Sequence, residues 1–251
     1  MVPLFSKPPS VASQSFELKR EDHTEKGAFV AIDVIRYNQL EGHLEHWLHP
    51  EERDYFHSLK APGRRRTYLL GRTAAKTALQ NLDITCNPPG VHIKTGIFKD
   101  PIPCFPMKNP IHVSISHTAS MACALAFPAG HPMALDLEDI QLKRARVMKE
   151  HCEEDELRSL KQLGIEDDAA SSIIWTAKEA VSKALRTGMT CPFALMKLKS
   201  IRADTNGSIT GFFDNFAQYQ FRSWIMDSRA LTIVLPKRSE LVFPSQAPKL
   251  P

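Results

Sequence analysis

Trp175-Thr-Ala-Lys-Glu-Ala-Val-Ser-Lys-Ala-Leu-Arg-Thr-Gly-Met189 decides how the rest of the chain is read. Ile174, Ala177, Ala180, Val181, Ala184 and Leu185 recur at intervals of three and four, which is one apolar stripe of an α-helix. Asp167 or Asp168 can cap its start, and Gly188 can end it in the left-handed conformation. Trp175, Glu179 and Lys183, each four apart, form a second stripe on another side. An isolated acid and base at that spacing make a surface ion pair worth about 0.3–0.5 kcal/mol. Here the same side carries a large aromatic, and two acids lie upstream in Leu135-Asp136-Leu137-Glu138. As a strand, that segment puts both carboxylates on one face and both leucines on the other. Adjacent carboxylates resist joint ionisation. A hard cation removes that cost, and Mg²⁺ favours one or two carboxylates plus phosphate oxygens.

The 251 residues, 43% hydrophobic, suffice for one large domain or two of roughly 100–150 residues. A net charge of +4 and a pI of 8.8 suit an anionic ligand or an acidic protein partner. Nucleic acid is not expected, because the basic residues do not interleave with aromatics. Cysteines 86, 104, 123, 152 and 191 are odd in number and show no C-x-x-C, which fits free thiols in the cytoplasm. No apolar run approaches the ~18 residues of a membrane helix. Lys7, Pro8 and Pro9 interrupt any signal-peptide core.

Along the chain, residues 1–27 read as a loose arm and Ala28–Ile35 as a strand. Residues 39–59 read as helical, broken at Pro50. His43, His46 and His49 lie there, but no Cys or acid completes a zinc pattern in sequence, so they are read as an exposed helix face. Arg64-Arg65-Arg66 leads into a helix over Tyr68–Leu82, where Arg72 and Lys76 are four apart. Residues 86–110, with six prolines, read as an irregular excursion. Ile111–Ser116, Met121–Phe127 and Met133–Glu138 read as three strands of an antiparallel meander. A helix over His151–Leu163 carries Glu156. Phe193–Ile201, Tyr219–Ile225 and Ala230–Leu235 read as further strands, and the tail from Pro236 as loose.

Ser114-Ile-Ser-His-Thr118, Ala134-Leu-Asp-Leu-Glu138 and Trp175-Thr-Ala-Lys-Glu-Ala-Val-Ser-Lys183 stand in the order and spacing typical of 4′-phosphopantetheinyl transferases. Over about residues 40–235 the chain resembles the larger, surfactin-synthetase-activating type. That resemblance implies an α+β fold of two similar halves in pseudo-two-fold arrangement, each a small antiparallel sheet packed with helices. The expected division is a flexible arm (1–27), an N-terminal half on the coenzyme A 3′-phosphate side (28–130), a C-terminal half on the Mg²⁺ and pyrophosphate side (131–236) and a loose tail (237–251). The implied reaction moves 4′-phosphopantetheine from coenzyme A to a serine of an apo acyl or peptidyl carrier protein, acidic around that serine, and leaves 3′,5′-ADP. The alternative is a non-catalytic coenzyme A or carrier-binding module of the same fold. A monomer is the default, since both halves lie in one chain.

By the same resemblance, Asp136, Glu138 and Glu179 hold Mg²⁺, Lys183 reaches a pyrophosphate oxygen, and Glu179 takes the serine proton directly or through a water. Lys178 assists. His117 contacts the 3′-phosphate beside Ser116, Lys76 and Lys99 face phosphates, and Arg66 or Arg65 adds to them. Three positions depart from the family: Ala134 and Arg186 stand where glycine is usual, and Thr118 where serine is common.

Overall fold

Apolar residues run nearly unbroken through inner strands of two five-stranded antiparallel sheets in the computed structural model, which describes residues 10–82, 86–244 and 247–251. The strands are β1 (Val11–Lys19), β2 (Thr24–Asp33), β3 (His92–Thr95), β4 (Pro101–Cys104), β5 (Ile111–His117), β6 (Met121–Pro128), β7 (Ala134–Asp139), β8 (Leu198–Ala203), β9 (Ile209–Phe213), β10 (Tyr219–Met226), β11 (Arg229–Pro236) and β12 (Glu240–Val242). The α-helices are α1 (Tyr37–Glu41), α2 (Leu44–Trp47), α3 (Pro50–Ser58), α4 (Pro62–Gln80), α5 (Leu142–Lys149), α6 (Glu154–Gln162) and α7 (Asp167–Leu185). One sheet runs β12-β1-β2-β6-β5 and the other β7-β11-β10-β9-β8, while β3 and β4 pair separately. The fold is α+β and has two halves. β4 lies against β5, so the order β2-β6-β5-β4-β3 around α4 repeats as β7-β11-β10-β9-β8 around α7.

Strand periodicity distributes the core. Phe29, Ala31, Cys123 and Leu125 from one sheet meet Leu135, Leu137, Leu231 and Ile233 from the other in a shared apolar layer. The opposite face of the first sheet packs on Leu70, Ala74 and Ala78 of α4, and that of the second on Ile173, Ala177 and Val181 of α7.

A buried ion pair repeats as well. In each half the helix before the long one begins with a capping box whose third residue is glutamate: Glu52 bonds the His49 N–H, and Glu156 the Glu153 N–H. Its other oxygen accepts a strand N–H, from Ile93 at 3.0 Å and from Leu198 at 2.7 Å. A lysine of the long helix completes each network. Lys76 Nζ reaches Glu52 at 2.5 Å and the Trp47 carbonyl at 2.9 Å. Lys178 Nζ reaches Glu156 and the His151 carbonyl, both at 2.9 Å. All four charged side chains are buried, and each has several partners, as a buried pair requires.

Four expectations about organisation are corrected. The described part of the N-terminal arm is not loose: β1 buries Phe16 and Leu18 and pairs along its whole length with β2. Residues 1–9 of that arm lie outside the described residues. The tail is not loose either, because β12 adds to β1 and Phe243 packs on Phe16; residues 245–246 are outside the described set. The excursion at 86–110 contains the β3–β4 hairpin. The meander is broken, since β7 pairs with β11 rather than β6. The turn at Pro128–Pro132 that looked like a hairpin is the passage between sheets. Among the described residues no helix is long and apolar enough to cross a membrane.

Candidate active site

The apolar stripe of α7 faces its own sheet, which turns Glu179 and Lys183 toward β7 and the junction between halves. Glu166 occupies the N-cap position without a side-chain capping bond, and Asp167 and Asp168 fall in the first turn instead of capping it. Its end is set by Arg186, at φ 54°, where Gly188 was expected to stop it; Gly188 also has positive φ but lies beyond the cap.

β5 and β7 are edge strands of different sheets lying side by side. Their backbones form no ladder. Serines splice them: Leu135 N–H donates to Ser114 Oγ at 3.1 Å, and Leu137 N–H to Ser116 Oγ at 3.2 Å. Ser116 Oγ in turn donates to Asp136 Oδ1 at 2.7 Å. Lys183 Nζ donates to the same oxygen at 2.6 Å and to the Leu135 carbonyl at 3.3 Å. Asp136 Oδ2 and Glu138 Oε2 are buried with no hydrogen-bond partner. Arg144 Nη1 lies 2.7 Å from Glu138 Oε2 without hydrogen-bond alignment, so the attraction there is ionic, while its Nη2 bonds Oε1 at 3.1 Å.

These acids feel one another. Burial, then the Asp136 charge, pushes Glu138 up to about 7 against the pull of Arg144. Burial and the same Asp136 charge raise Glu179 against the pull of Lys183. Both shifts come first from burial and then from the neighbouring Asp136 charge, and a cation held between the acids would relieve both costs. The donor atoms of the three acids are not gathered into a ready-made set. Among the described residues, only His43/Glu45/His46 and His49/Glu51/His92 hold their donors within 4.8 Å of one another.

A cavity of about 460 Å³ opens beside this cluster, lined by Glu179 and Lys183, by the cations Lys99 and Arg186, and by His112 and Phe127. Arg186 Nη2 donates to the His112 ring at 2.7 Å, joining the two halves across it. A second groove shares Lys99 and Ile115 with the cavity and continues to His117, Arg64 and Arg72. Burial and the charge of Lys183 hold His117 below the usual histidine range.

Asp136, Glu138, Glu179, Lys183, Lys99 and His117 are therefore brought to one region. Five other candidates are corrected. Lys76 and Lys178 are fully buried in their glutamate networks and cannot reach a ligand. Ser116 is buried and spent on Asp136 and Leu137. Arg66 lines a separate groove with Tyr37, Asn38 and Glu41, and Arg65 is held by the Leu59 carbonyl at 2.6 Å. Sequence reasoning missed the roles of Arg64, from whose basic turn it chose Arg66 or Arg65, and of Arg72, His112 and Arg186. The first two carried a signal: Arg64, Tyr68 and Arg72 are four apart, so Arg64 shares the Arg72 side of α4 and Arg66 does not. His112 and Arg186 meet only through the tertiary fold.

Residues 132–234 match the family model of the 4′-phosphopantetheinyl transferase superfamily. The match spans less than half of the chain. It contains β7 and α7, and so all four of Asp136, Glu138, Glu179 and Lys183, whereas Arg64, Arg72, Lys99 and His117 lie outside it. No curated protein matches the chain significantly. Among solved structures, a holo-(acyl-carrier-protein) synthase from Bacillus anthracis str. Ames in complex with CoA (3′,5′-ADP) is 22% identical, with a TM-score of 0.39 over 45% of this chain and 96% of its own. Holo-ACP-synthase from Plasmodium yoelii is 18% identical, with a TM-score of 0.35 over 47% and 92%. Holo-[acyl-carrier-protein] synthase from Thermotoga maritima is 26% identical, with a TM-score of 0.33 over 41% and 61%.

Proposed function

We propose that this chain transfers 4′-phosphopantetheine from coenzyme A to a serine hydroxyl of an apo acyl or peptidyl carrier protein, releasing 3′,5′-ADP. The observation that carries this reading is the meeting of Asp136, Glu138, Glu179 and Lys183 at the junction of the halves, beside a cavity with further cations.

The donor set fits Mg²⁺, an ion that takes carboxylate oxygens. Asp136 Oδ2 and Glu138 Oε2 are buried and lack hydrogen-bond donors, and Glu179 is raised by burial and then by the Asp136 charge. Asp136, Glu138 and Glu179 would hold it, and when bound it would neutralise charge on the diphosphate. The residues do the rest by position and charge, the main sources of rate in phosphoryl transfer. Lys183 is 29% exposed, so it can swing from Asp136 to a diphosphate oxygen. Arg64, Arg72, Lys99 and His117 receive the outlying phosphate. Glu179, with its raised affinity for a proton, accepts the serine proton as the serine oxygen bonds to the β-phosphorus. The bond from that phosphorus to the bridging oxygen breaks, and 3′,5′-ADP leaves with the electron pair.

The carrier surface in this reading is α5. Leu142 and Val147 are exposed on it at 60% and 58%, among Lys143, Arg144, Arg146 and Lys149. Basic charge with apolar tips suits an acidic amphipathic segment. Residues 28–130 supply the outlying-phosphate side and 131–236 the catalytic side. One chain then completes the site, so the working form is a monomer. The five free cysteines suit the cytoplasm.

The test is to incubate the protein with coenzyme A, Mg²⁺ and a set of apo carriers and to weigh the carriers. A gain of one phosphopantetheine supports the proposal. Folded protein that binds coenzyme A but modifies no carrier reduces it to a binding module.

A further inference from the structure

The glutamate–lysine networks of the two halves correspond in helix cap, strand N–H and lysine, with Arg72 an added neighbour of Glu52 at 3.4 Å, and the residues flanking them differ in a way that implies a ligand. Each network has an N-cap residue (His49 or Glu153), a second helical residue (Glu51 or Asp155) and the residue before the bonded strand N–H (His92 or Lys197). In the C-terminal half, Lys197 Nζ lies 2.7 Å from Asp155 Oδ2. That ion pair closes α6 onto the strand next to the buried Glu156. In the N-terminal half the corresponding closure lacks a permanent cation. His92 stands where Lys197 stands, 3.5 Å from Glu51, and His49 stacks on it with ring centroids 4.7 Å apart. Two imidazoles and a carboxylate thus converge, with donor atoms all within 4.8 Å of one another.

We propose that His49, Glu51 and His92 bind a divalent transition-metal ion, which supplies in the N-terminal half the positive charge that Lys197 supplies in the C-terminal half. Two imidazoles and one carboxylate are a common set for Zn²⁺ and its neighbours, with the remaining position left to water. Access is open, because the Glu51 side chain is 69% exposed. The histidine rings lie parallel, so one turns about its side-chain bonds to aim its lone pair. The ion would link the first turn of α3 to β3, on either side of the two N–H groups that Glu52 accepts. His43, Glu45 and His46 form a second cluster on the short helix α2, exposed throughout. No corresponding element of the other half calls for a cation there, so it is not part of the proposal.

The test uses the full-length protein and Zn²⁺ alone, followed by titration calorimetry and thermal unfolding, with Co²⁺ for its absorption spectrum. One ion per chain is expected to bind at this site and raise the melting temperature. His92→Lys recreates the Lys197 arrangement, so it is expected to stay folded, to lose the melting response to Zn²⁺, and to weaken binding by about tenfold or more. His49→Asn keeps a capping side chain and is expected to weaken binding likewise. His43→Ala/His46→Ala is expected to leave binding intact. Zn²⁺ binding that survives in His92→Lys, or that disappears in the His43/His46 variant, overturns the assignment, as does the absence of any binding to the native chain.

Discussion

The two halves share a scaffold and divide the chemistry, and the difference separates residues that fold the chain from residues that would act. Both scaffolds close with the same glutamate, lysine, carbonyl and strand N–H. The strand below each long helix runs in matching register. Asp33 faces Met121, the first residue of β6, and Asp139 faces Arg229, the first residue of β11. Val30 and Ile32 therefore stand where Asp136 and Glu138 stand. Counting on from the paired lysines, Thr77 and Asn81 of α4 correspond to Glu179 and Lys183 of α7. Val30 and Ile32 are buried against α4 as ordinary core. The N-terminal half shows that this fold needs no charge at those positions, so the cost of burying acids in the C-terminal half must serve something else.

The largest effect tests that conclusion. Asp136→Val/Glu138→Ile gives the C-terminal strand the residues of its counterpart. Carrier modification is expected to fall by on the order of 10²–10³-fold or more. Unfolding in urea is expected to show stability kept or raised by about 1–4 kcal/mol, since apolar residues replace poorly compensated charges. Normal turnover, or loss of the fold, would break the division between scaffold and chemistry.

The second effect sharpens the shared part. Glu52→Ala and Glu156→Ala each strand a fully buried lysine, and each is expected to cost about 3–5 kcal/mol in denaturant unfolding. Similar costs in both halves are the signature of one structural role. A Glu156→Ala variant of native stability with lost activity would instead return Lys178 to the catalytic group.

Much of this was legible before the fold was known. The strand carrying Asp136 and Glu138 and the helix carrying Glu179 and Lys183 announced themselves through periods of two and 3.6, and their meeting follows from those faces. Lys76 and Lys178 misled because a lysine on a helix reads as exposed. Only the capping glutamate and the strand N–H, far away in sequence, explain how such a charge is buried. β1 and β12 were missed for a related reason. Their polar and charged residues occupy one face of a sheet edge, while Phe16, Leu18 and Leu241 occupy the other, and that short alternation is hidden among prolines and lysines. The apparent β6–β7 hairpin failed because turn residues mark a reversal without saying which sheet the next strand joins.

A smaller effect concerns how the C-terminal segment is fastened to the N-terminal sheet. His131 is buried, with Nδ1 on the Glu25 carboxylate and Nε2 3.0 Å from Ser239 Oγ. Burial outweighs Glu25 and holds this histidine below its ordinary value. The unfolded chain therefore binds a proton near pH 6.5 that the folded chain refuses until lower pH. Stability from this group is present above about pH 6.5 and is lost as pH falls, by at most about 1.4 kcal/mol per unit. Equilibrium unfolding at pH 7.5 and 5.5 is expected to show that loss in the native chain and less of it in His131→Gln. An equal loss in both would place the acid-sensitive contact elsewhere.

The smallest expected effect separates backbone from side chain at the end of α7. The matching helix α4 ends at Asn81 with φ −71°, an ordinary helical value, whereas Arg186 caps α7 with φ 54°. Left-handed backbone is costly for any residue with a Cβ, so Arg186→Gly is expected to stabilise the fold by about 1 kcal/mol, or roughly 2–4 °C in melting temperature. The same change takes a guanidinium out of the cavity. His112 is held below its usual range by burial and then by the Arg186 charge, so its titration followed by NMR is expected to move up in the variant. A stabler protein with a raised His112 and a higher KM for coenzyme A would mean that the strain is tolerated for the cation it positions. A stabler protein with unchanged kinetics would leave Arg186 as a helix end that α4 shows can be built without strain.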